Sequence, residues 1–77
     1  MDFDMYKEKI FKLLISKAKN NIAREAIINI KEIDISIKST NDSSIIFQKW
    51  LDDCEIVEET CFLGKGLIKC IIKKDFI

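Results

Sequence analysis

Apolar residues in the first part of the chain recur at spacings of three and four, which is the period of an amphipathic helix. The series begins at Phe3, and charged side chains, mainly lysines, lie between its members. The later apolar positions are Tyr6, Ile10, Leu13, Leu14 and Ala18. Asn20 and Asn21 either end the helix or kink it, and the helix-favouring run IAREAI would then extend it to about Ile28. The pattern therefore predicts a long N-terminal helix.

The segment IKEIDISIK, residues 30–38, has two interpretations. Ile33, Ile35 and Ile37 alternate with polar residues, which is the period of a strand with one buried face, and β-branched residues favour that state. If the segment is helical, Ile30, Ile33 and Ile37 share one stripe and Ile35 lies off it. Local propensity favours the strand, and the pattern alone leaves both states open.

A further helix is predicted after the polar run KSTNDSS, whose last members can cap it. The helix covers SIIFQKWLDD, and at about 100° per residue it has an apolar side and a side that is polar apart from Ile45. The apolar side holds Ile46, Phe47, Trp50 and Leu51. The polar side holds Ser44, Gln48, Lys49 and Asp52. We expect the apolar side to be buried.

The C-terminal run EIVEETCFLGKGLIKCIIKK predicts a β-hairpin around the two glycines. If Lys65 and Gly66 form the turn, Cys61 faces Cys70 on a mostly apolar face. The other pairs in this register are Leu63 with Ile68, Glu59 with Ile72, and Glu58 with Lys73. We expect Cys61 and Cys70 to fill the inner face as small hydrophobic residues, and a disulfide between them is geometrically possible in this register.

Composition and charge restrict the classes of function. The chain has 77 residues, of which 48% are hydrophobic, and its 13 basic and 13 acidic residues cancel. These values predict one soluble domain over residues 1–77, and no run approaches the roughly 20 apolar residues of a membrane span. The N-terminus carries acids where a secretory signal carries bases, so we expect a cytoplasmic location. Histidine is absent and the three cysteines lack CxxC spacing, so we expect neither an enzyme nor a bound metal or cofactor.

The order of helix, ambiguous segment, polar turn, apolar-faced helix and hairpin resembles the winged helix-turn-helix family. In that family a short helix opens with an acidic and an apolar residue, as at Glu32 and Ile33, and Ile37 matches the next core position. Leu51 matches the leucine that ends the family's recognition helix, which is the second helix of the elbow. The run LDDCEIVEE resembles the step into the wing, and GKG resembles its tip. The resemblance covers residues 10–74 and implies an α+β, mainly α, fold with a two-helix elbow and a hairpin wing.

The resemblance also implies a function, which is sequence-specific binding of double-stranded DNA by a small transcriptional regulator. Residues 42–52 would lie in the major groove and the wing, residues 62–68, on the backbone. The residues implied to face the bases are Asn41, Ser44, Gln48 and Lys49, with Ile45 on a thymine methyl group. The residues implied to hold phosphates are Lys38, Ser39, Thr40 and Lys65. A homodimer through the N-terminal helix and the chain termini, including Phe3, Phe76 and Ile77, is a further implication.

Two alternatives stay open at this point. Winged-helix domains also serve as protein-protein adaptors, and zero net charge favours that interpretation. If residues 33–37 form a strand, the chain is similar instead to the TusA-like sulfur carriers, which are α+β proteins with a Cys-Pro-x-Pro motif at the start of their first helix. This chain has no proline and no cysteine before Cys54, so the resemblance implies no sulfur-carrier activity.

Overall fold

The computed structural model of the chain describes residues 2–77. Three α-helices and a three-stranded antiparallel sheet make an α+β fold. The α+β class is as the sequence predicts, but the sheet has one strand more than the predicted hairpin. The helices are α1 (Lys7–Lys19), α2 (Ile30–Ile33) and α3 (Asn41–Asp52), with 3-10 turns at Phe3–Tyr6 and Lys74–Phe76. The strands are β1 (Glu25–Asn29), β2 (Val57–Gly64) and β3 (Leu67–Ile72), and their order in the sheet is β1-β3-β2.

The N-terminal helix is shorter than predicted, because α1 ends at Lys19 and residues 25–29 form β1. The side-chain oxygen of Asn21 accepts hydrogen bonds from the backbone of Ala23 and Glu25, and Arg24 has a left-handed φ of 60°. This turn reverses the chain so that β1 pairs with β3. The predicted continuation to Ile28 is therefore wrong, because strand pairing and burial outweigh the helical propensity of this short run.

The isoleucine segment is neither a strand nor a full helix. Asn29, the last residue of β1, caps α2 in a reciprocal pair of hydrogen bonds with Glu32, and α2 ends after one turn at Ile33. The chain then turns on Asp34, whose side chain accepts hydrogen bonds from Ser36. The exposed fraction of Ile35 is 81%, whereas the three isoleucines of the predicted helical stripe, Ile30, Ile33 and Ile37, are buried. The three isoleucines are buried as the helical interpretation expects, but only Ile30 and Ile33 lie in a helix, and the strand that a TusA-like fold requires at residues 33–37 is not present.

The hairpin forms around Lys65 and Gly66 as predicted, but its register differs. One bulge lies between Phe62 and Gly64, so Cys61 is opposite Lys69 and Thr60 is opposite Cys70. The same bulge puts Glu59 opposite Ile71, so the predicted Glu59–Ile72 pair is also wrong, and a second bulge between Val57 and Glu59 puts Val57 opposite Ile72. Cys70 is buried, Cys61 is exposed and both are free, which rules out the disulfide that the simple register allowed.

The core lies between the helices and one face of the sheet. α1 packs on β1 and α3 packs on β2, over buried side chains from alternate positions of the strands. Those side chains are Ala26, Ile28, Val57, Ile68, Cys70 and Ile72. Phe3 closes the core beside Phe47, with 4.8 Å between ring centroids. It is therefore buried, and the prediction that it contributes to a dimer surface is wrong. This packing leaves one side of α3 and Lys65 at the hairpin turn in solvent.

Candidate nucleic-acid interface

Helix α3 begins at Asn41 because Thr40 caps it. The Thr40 hydroxyl accepts a hydrogen bond from the backbone of Ser43, and the Ser43 hydroxyl accepts one from the backbone of Thr40. Such a reciprocal cap satisfies two amides that a helix start otherwise leaves unpaired. The predicted helix over residues 42–52 is confirmed to within one residue, and the predicted phosphate ligand Thr40 has its hydroxyl engaged in this cap.

The buried side of α3 differs from the predicted side at two positions. Ser44, predicted to face DNA, is fully buried, whereas Ile46, predicted to be buried, is 50% exposed. Phe47 and Leu51 are buried as predicted. The helix is rotated so that Ser44 points at the turn between β2 and β3. Ser44 therefore cannot contact a base from this position, and the prediction that it faces DNA is wrong.

The β2–β3 turn is fastened to the start of both α2 and α3. The amide of Gly66 donates to the Ser44 hydroxyl at 2.6 Å, and that hydroxyl donates to the Thr40 carbonyl at 2.6 Å. The carbonyl of Gly66 accepts from the amide of Ile30 at 2.7 Å. We call this group of contacts the turn clamp. It fixes the tip of the hairpin, including the exposed Lys65, beside the first turns of α3.

Only glycine fits at position 66 of the turn clamp. Its φ of 77° is in the left-handed region, where a side chain is disfavoured. A Cβ atom there would lie 2.6 Å from the Ser39 hydroxyl oxygen and 2.9 Å from Cγ2 of Ile30. The Ser39 hydroxyl is buried and has no hydrogen-bond partner among residues 2–77. Ser39, predicted to hold phosphate, thus packs against the turn with its polar atom covered.

The exposed stripe of α3 consists of Asn41, Ile45 and Lys49, which follow one another at intervals of four residues. Gln48 is only partly exposed, because its amide donates to the Thr60 hydroxyl at 3.1 Å and braces α3 against β2. The Thr60 hydroxyl in turn donates to Asp52 at 2.6 Å. The structure thus brings three of the predicted base-facing residues onto one exposed stripe and assigns Gln48 a contact within the fold.

The charges around the exposed stripe are mixed. Three predicted ligands carry positive charge and are exposed: Lys38 before α3, Lys49 within it, and Lys65 at the turn. Asp42 and Asp52 on the same helix are also exposed. Positive and negative side chains are therefore interspersed on this surface, and any attraction to phosphate depends on these three lysines.

Phe62 is a residue of this surface that the sequence analysis missed. It is 43% exposed and shares the α3-facing side of β2 with Thr60, whose contacts to Gln48 and Asp52 fix that orientation. In the predicted register Phe62 faces the opposite side of the sheet. The bulge at Leu63 reverses this, and no residue pattern in the hairpin announces a bulge at that position.

Contacts from the N-terminal 3-10 turn and from α1 hold the end of α2 and the turn that follows it. The Tyr6 hydroxyl donates to Asp34 at 2.9 Å, and the ammonium of Lys9 donates to the Ile33 carbonyl at 2.8 Å. Hydrogen bonds from the backbone and the hydroxyl of Ser36, and then from Tyr6, lower the pKa of Asp34. The same hydrogen bond raises the pKa of Tyr6. Asp34 is thus ionised at neutral pH and joins α1 to the elbow.

Two of the three thiols lie in surroundings that disfavour the thiolate. Burial raises the pKa of Cys54 to about 11 and that of Cys70 to about 12, so both thiols stay protonated at neutral pH. Within residues 2–77, no group of three or more histidine, cysteine or acidic side chains is arranged to hold a metal ion. The same residues contain no helix with the length and apolar character that crossing a bilayer requires.

The surface formed by the exposed stripe of α3, Lys38, Lys65 and Phe62 is the candidate interface. Its members are all exposed side chains. Comparisons of the chain with protein-family models, with curated proteins and with solved structures found no match.

Proposed function

We propose that the chain is a winged helix-turn-helix domain that binds double-stranded DNA sequence-specifically as a small transcriptional regulator. The element order supports the proposal: α1, β1, a short α2, a turn, α3 and a hairpin, with β3 between β1 and β2. In this proposal α2 and α3 are the elbow, α3 is the recognition helix and the β2–β3 hairpin is the wing.

The turn clamp is the observation that carries the proposal. Because Gly66 is bonded to both Ser44 and Ile30, the tip of the hairpin lies against the first turns of α2 and α3, next to Asn41 at the start of the exposed stripe. A helix with one exposed polar stripe fits the major groove, which is about 12 Å wide. With α3 in the groove, Lys38 and Lys65 would meet phosphates on either side, and Asn41, Ile45 and Lys49 would meet base edges.

The test is the salt dependence of duplex binding, measured by fluorescence anisotropy with the wild-type chain and two triple variants. One variant replaces Lys38, Lys49 and Lys65 with alanine. The matched control replaces Lys12, Lys19 and Lys74, which are exposed on α1 and after β3. Both variants lose the same charge, so a difference between them reports position and not total charge.

We expect wild-type affinity to fall steeply with salt and the control to follow it closely. For the interface variant, the slope of log K against log salt should become shallower by about 0.9 for each lysine that contacts a phosphate. Equal slopes for the two variants would remove this surface from the proposal. Circular dichroism of all three proteins checks that the substitutions leave the fold intact.

A protein-protein adaptor is the second candidate, and the apolar part of the same surface favours it. Ile45 is 48% exposed and Phe62 43%, and exposed apolar side chains of this size are common at protein interfaces. The anisotropy titration separates the two candidates. A wild-type chain that fails to bind duplex at low salt would favour the adaptor, whereas salt-dependent duplex binding favours the DNA reader.

A further inference from the structure

Ile45 is an apolar side chain in the middle of the exposed stripe of α3. It is 48% exposed, and Asn41 and Lys49 lie one turn before and one turn after it on the same stripe. The side chain of Asn41 is exposed at the start of the helix. An exposed amide and an apolar group are therefore presented together, about one helical turn apart.

The stripe matches the edge of an A·T base pair better than that of a G·C pair. In the major groove, thymine presents its C5-methyl group, and adenine presents the N6 donor and N7 acceptor that an asparagine amide pairs with. Guanine is read most often by arginine or lysine. The single arginine of the chain, Arg24, lies beside β1 and pairs with Glu58 at 3.9 Å, so Lys49 alone on this stripe could serve guanine.

We infer that α3 selects A·T pairs, with Ile45 contacting a thymine C5-methyl group and Asn41 hydrogen-bonding an adenine. This inference rests on the proposed function and gives it a substrate class. The thymine contact has one partner in the protein, the branched side chain of Ile45, and one in the DNA, the methyl group that distinguishes thymine from uracil. Removing either partner should lower the affinity by the same factor, and removing both should lower it no further.

The experiment begins with selection of a preferred duplex from a random library by the wild-type chain. Each thymine of that duplex is then replaced by deoxyuridine, which removes only the methyl group and leaves base pairing unchanged. Anisotropy gives the affinity ratio between the thymine and uracil forms. Wild type should lose about fourfold at the contacted position, the equivalent of one buried methyl group. Ile45→Ala should bind the two forms equally.

Ile46→Ala is the matched control. Ile46 is 50% exposed, so this substitution removes the same apolar group from the neighbouring position, which faces about 100° away around the helix. It should keep the fourfold preference for thymine. Replacing adenines by 7-deazaadenine removes the N7 acceptor in the same way. Wild type should lose about fivefold at one adenine, the equivalent of one hydrogen bond, and Asn41→Ala should lose nothing there.

The possible results separate this inference from the function on which it rests. Duplex binding with equal affinity for the thymine and uracil forms, or selection of a site without A·T pairs, would overturn the inference and leave DNA binding in place. Loss of the thymine preference in Ile46→Ala as well would overturn the role of Ile45. Failure of wild type to bind any duplex at low salt would overturn the proposed function and the inference with it.

Discussion

Gly66 is the residue on which the position of the hairpin depends. Its φ is 77°, and both its amide and its carbonyl are hydrogen-bonded. Neighbouring side chains leave no room for a Cβ atom. Gly64, at the other end of the same turn, has none of these constraints, because a Cβ atom there would meet nothing within 4 Å. Two glycines separated by one residue therefore have different roles.

We predict that Gly66→Ala lowers the free energy of unfolding by about 2 kcal/mol or more, from left-handed strain and the displacement of Ser39 and Ile30. Gly64→Ala should change it by less than about 1 kcal/mol. Urea unfolding followed by circular dichroism measures both. Similar losses in the two variants would mean that the turn does not pack against the elbow.

Ser44→Ala tests the other half of the turn clamp. It leaves the Gly66 amide buried without an acceptor, which should cost about 1–3 kcal/mol of unfolding free energy. Ser16→Ala is the control, because Ser16 is exposed on α1 and alanine suits a helix better than serine does. The same urea titration applies. A Ser44→Ala protein as stable as the control would contradict the hydrogen bond to Gly66.

The role of Ser44 could not be predicted from the sequence. A helical projection orients α3 by its apolar residues, and Ile46 and Trp50 draw the calculated buried side away from the one observed. Ser44 is buried because the turn of a distant hairpin needs an acceptor at that point. The exposure of Asn41, Ile45 and Lys49 is predicted correctly, because these residues lie far from the border between the buried and exposed sides of α3. The error in the rotation of the helix therefore does not affect them.

Among the elements, the elbow is held from outside, because α2 is only one turn long and cannot be stable alone. Its end is fixed by the turn on Asp34, and Tyr6 bonds the same carboxylate from the N-terminal segment. The lowered pKa of Asp34 means that the folded state favours its ionised form. That contribution to stability is complete above the ordinary pKa of 3.8 and is lost as pH falls through the lowered value.

We predict that Asp34→Asn flattens the fall in melting temperature below about pH 4 relative to wild type. Asp75→Asn, at an exposed carboxylate near the C-terminus, should leave that fall unchanged. Differential scanning calorimetry from pH 2 to pH 7 measures the effect. An acid limb that is the same in Asp34→Asn and wild type would show that the elbow does not depend on this charge.

The elements that the sequence predicted well are those whose signal is local. α3 has a polar cap and an apolar side, and the hairpin has glycines at its turn, so both were found close to their true limits. The run at residues 25–29 became β1 because β3, about 40 residues later in the chain, offers it a partner. The isoleucine segment combines one helical turn with an Asp34 turn, and neither pure period describes it.

At the scale of the whole molecule, one group of exposed apolar side chains outside the candidate interface lies near α1 and the chain termini. Met5 is 78% exposed and Ile77 47% exposed. A shallow groove of about 670 Å³ runs beside α1 between Met5, Tyr6 and Leu13. The homodimer implied by the winged-helix resemblance stays a prediction, and these side chains are the ones that would form it.

We predict that sedimentation velocity of wild type shows a concentration-dependent rise toward twice the monomer mass, and that Met5→Asp shifts it toward monomer by burying a charge at the contact. Ile22→Asp, in the fully exposed turn after α1, is the matched control and should behave as wild type. Monomeric wild type at all concentrations would rule out this dimer.

The turn clamp also determines how much order the molecule loses or gains when it meets a partner. A hairpin free at its tip would have to be immobilised at the moment of contact, at a cost in conformational entropy. Here the tip is already immobilised by two hydrogen bonds, one from the Gly66 amide to the Ser44 hydroxyl and one from the Ile30 amide to the Gly66 carbonyl, so docking would require little rearrangement of the main chain. The amide hydrogen of Gly66 should accordingly exchange with solvent as slowly in the isolated protein as in any complex.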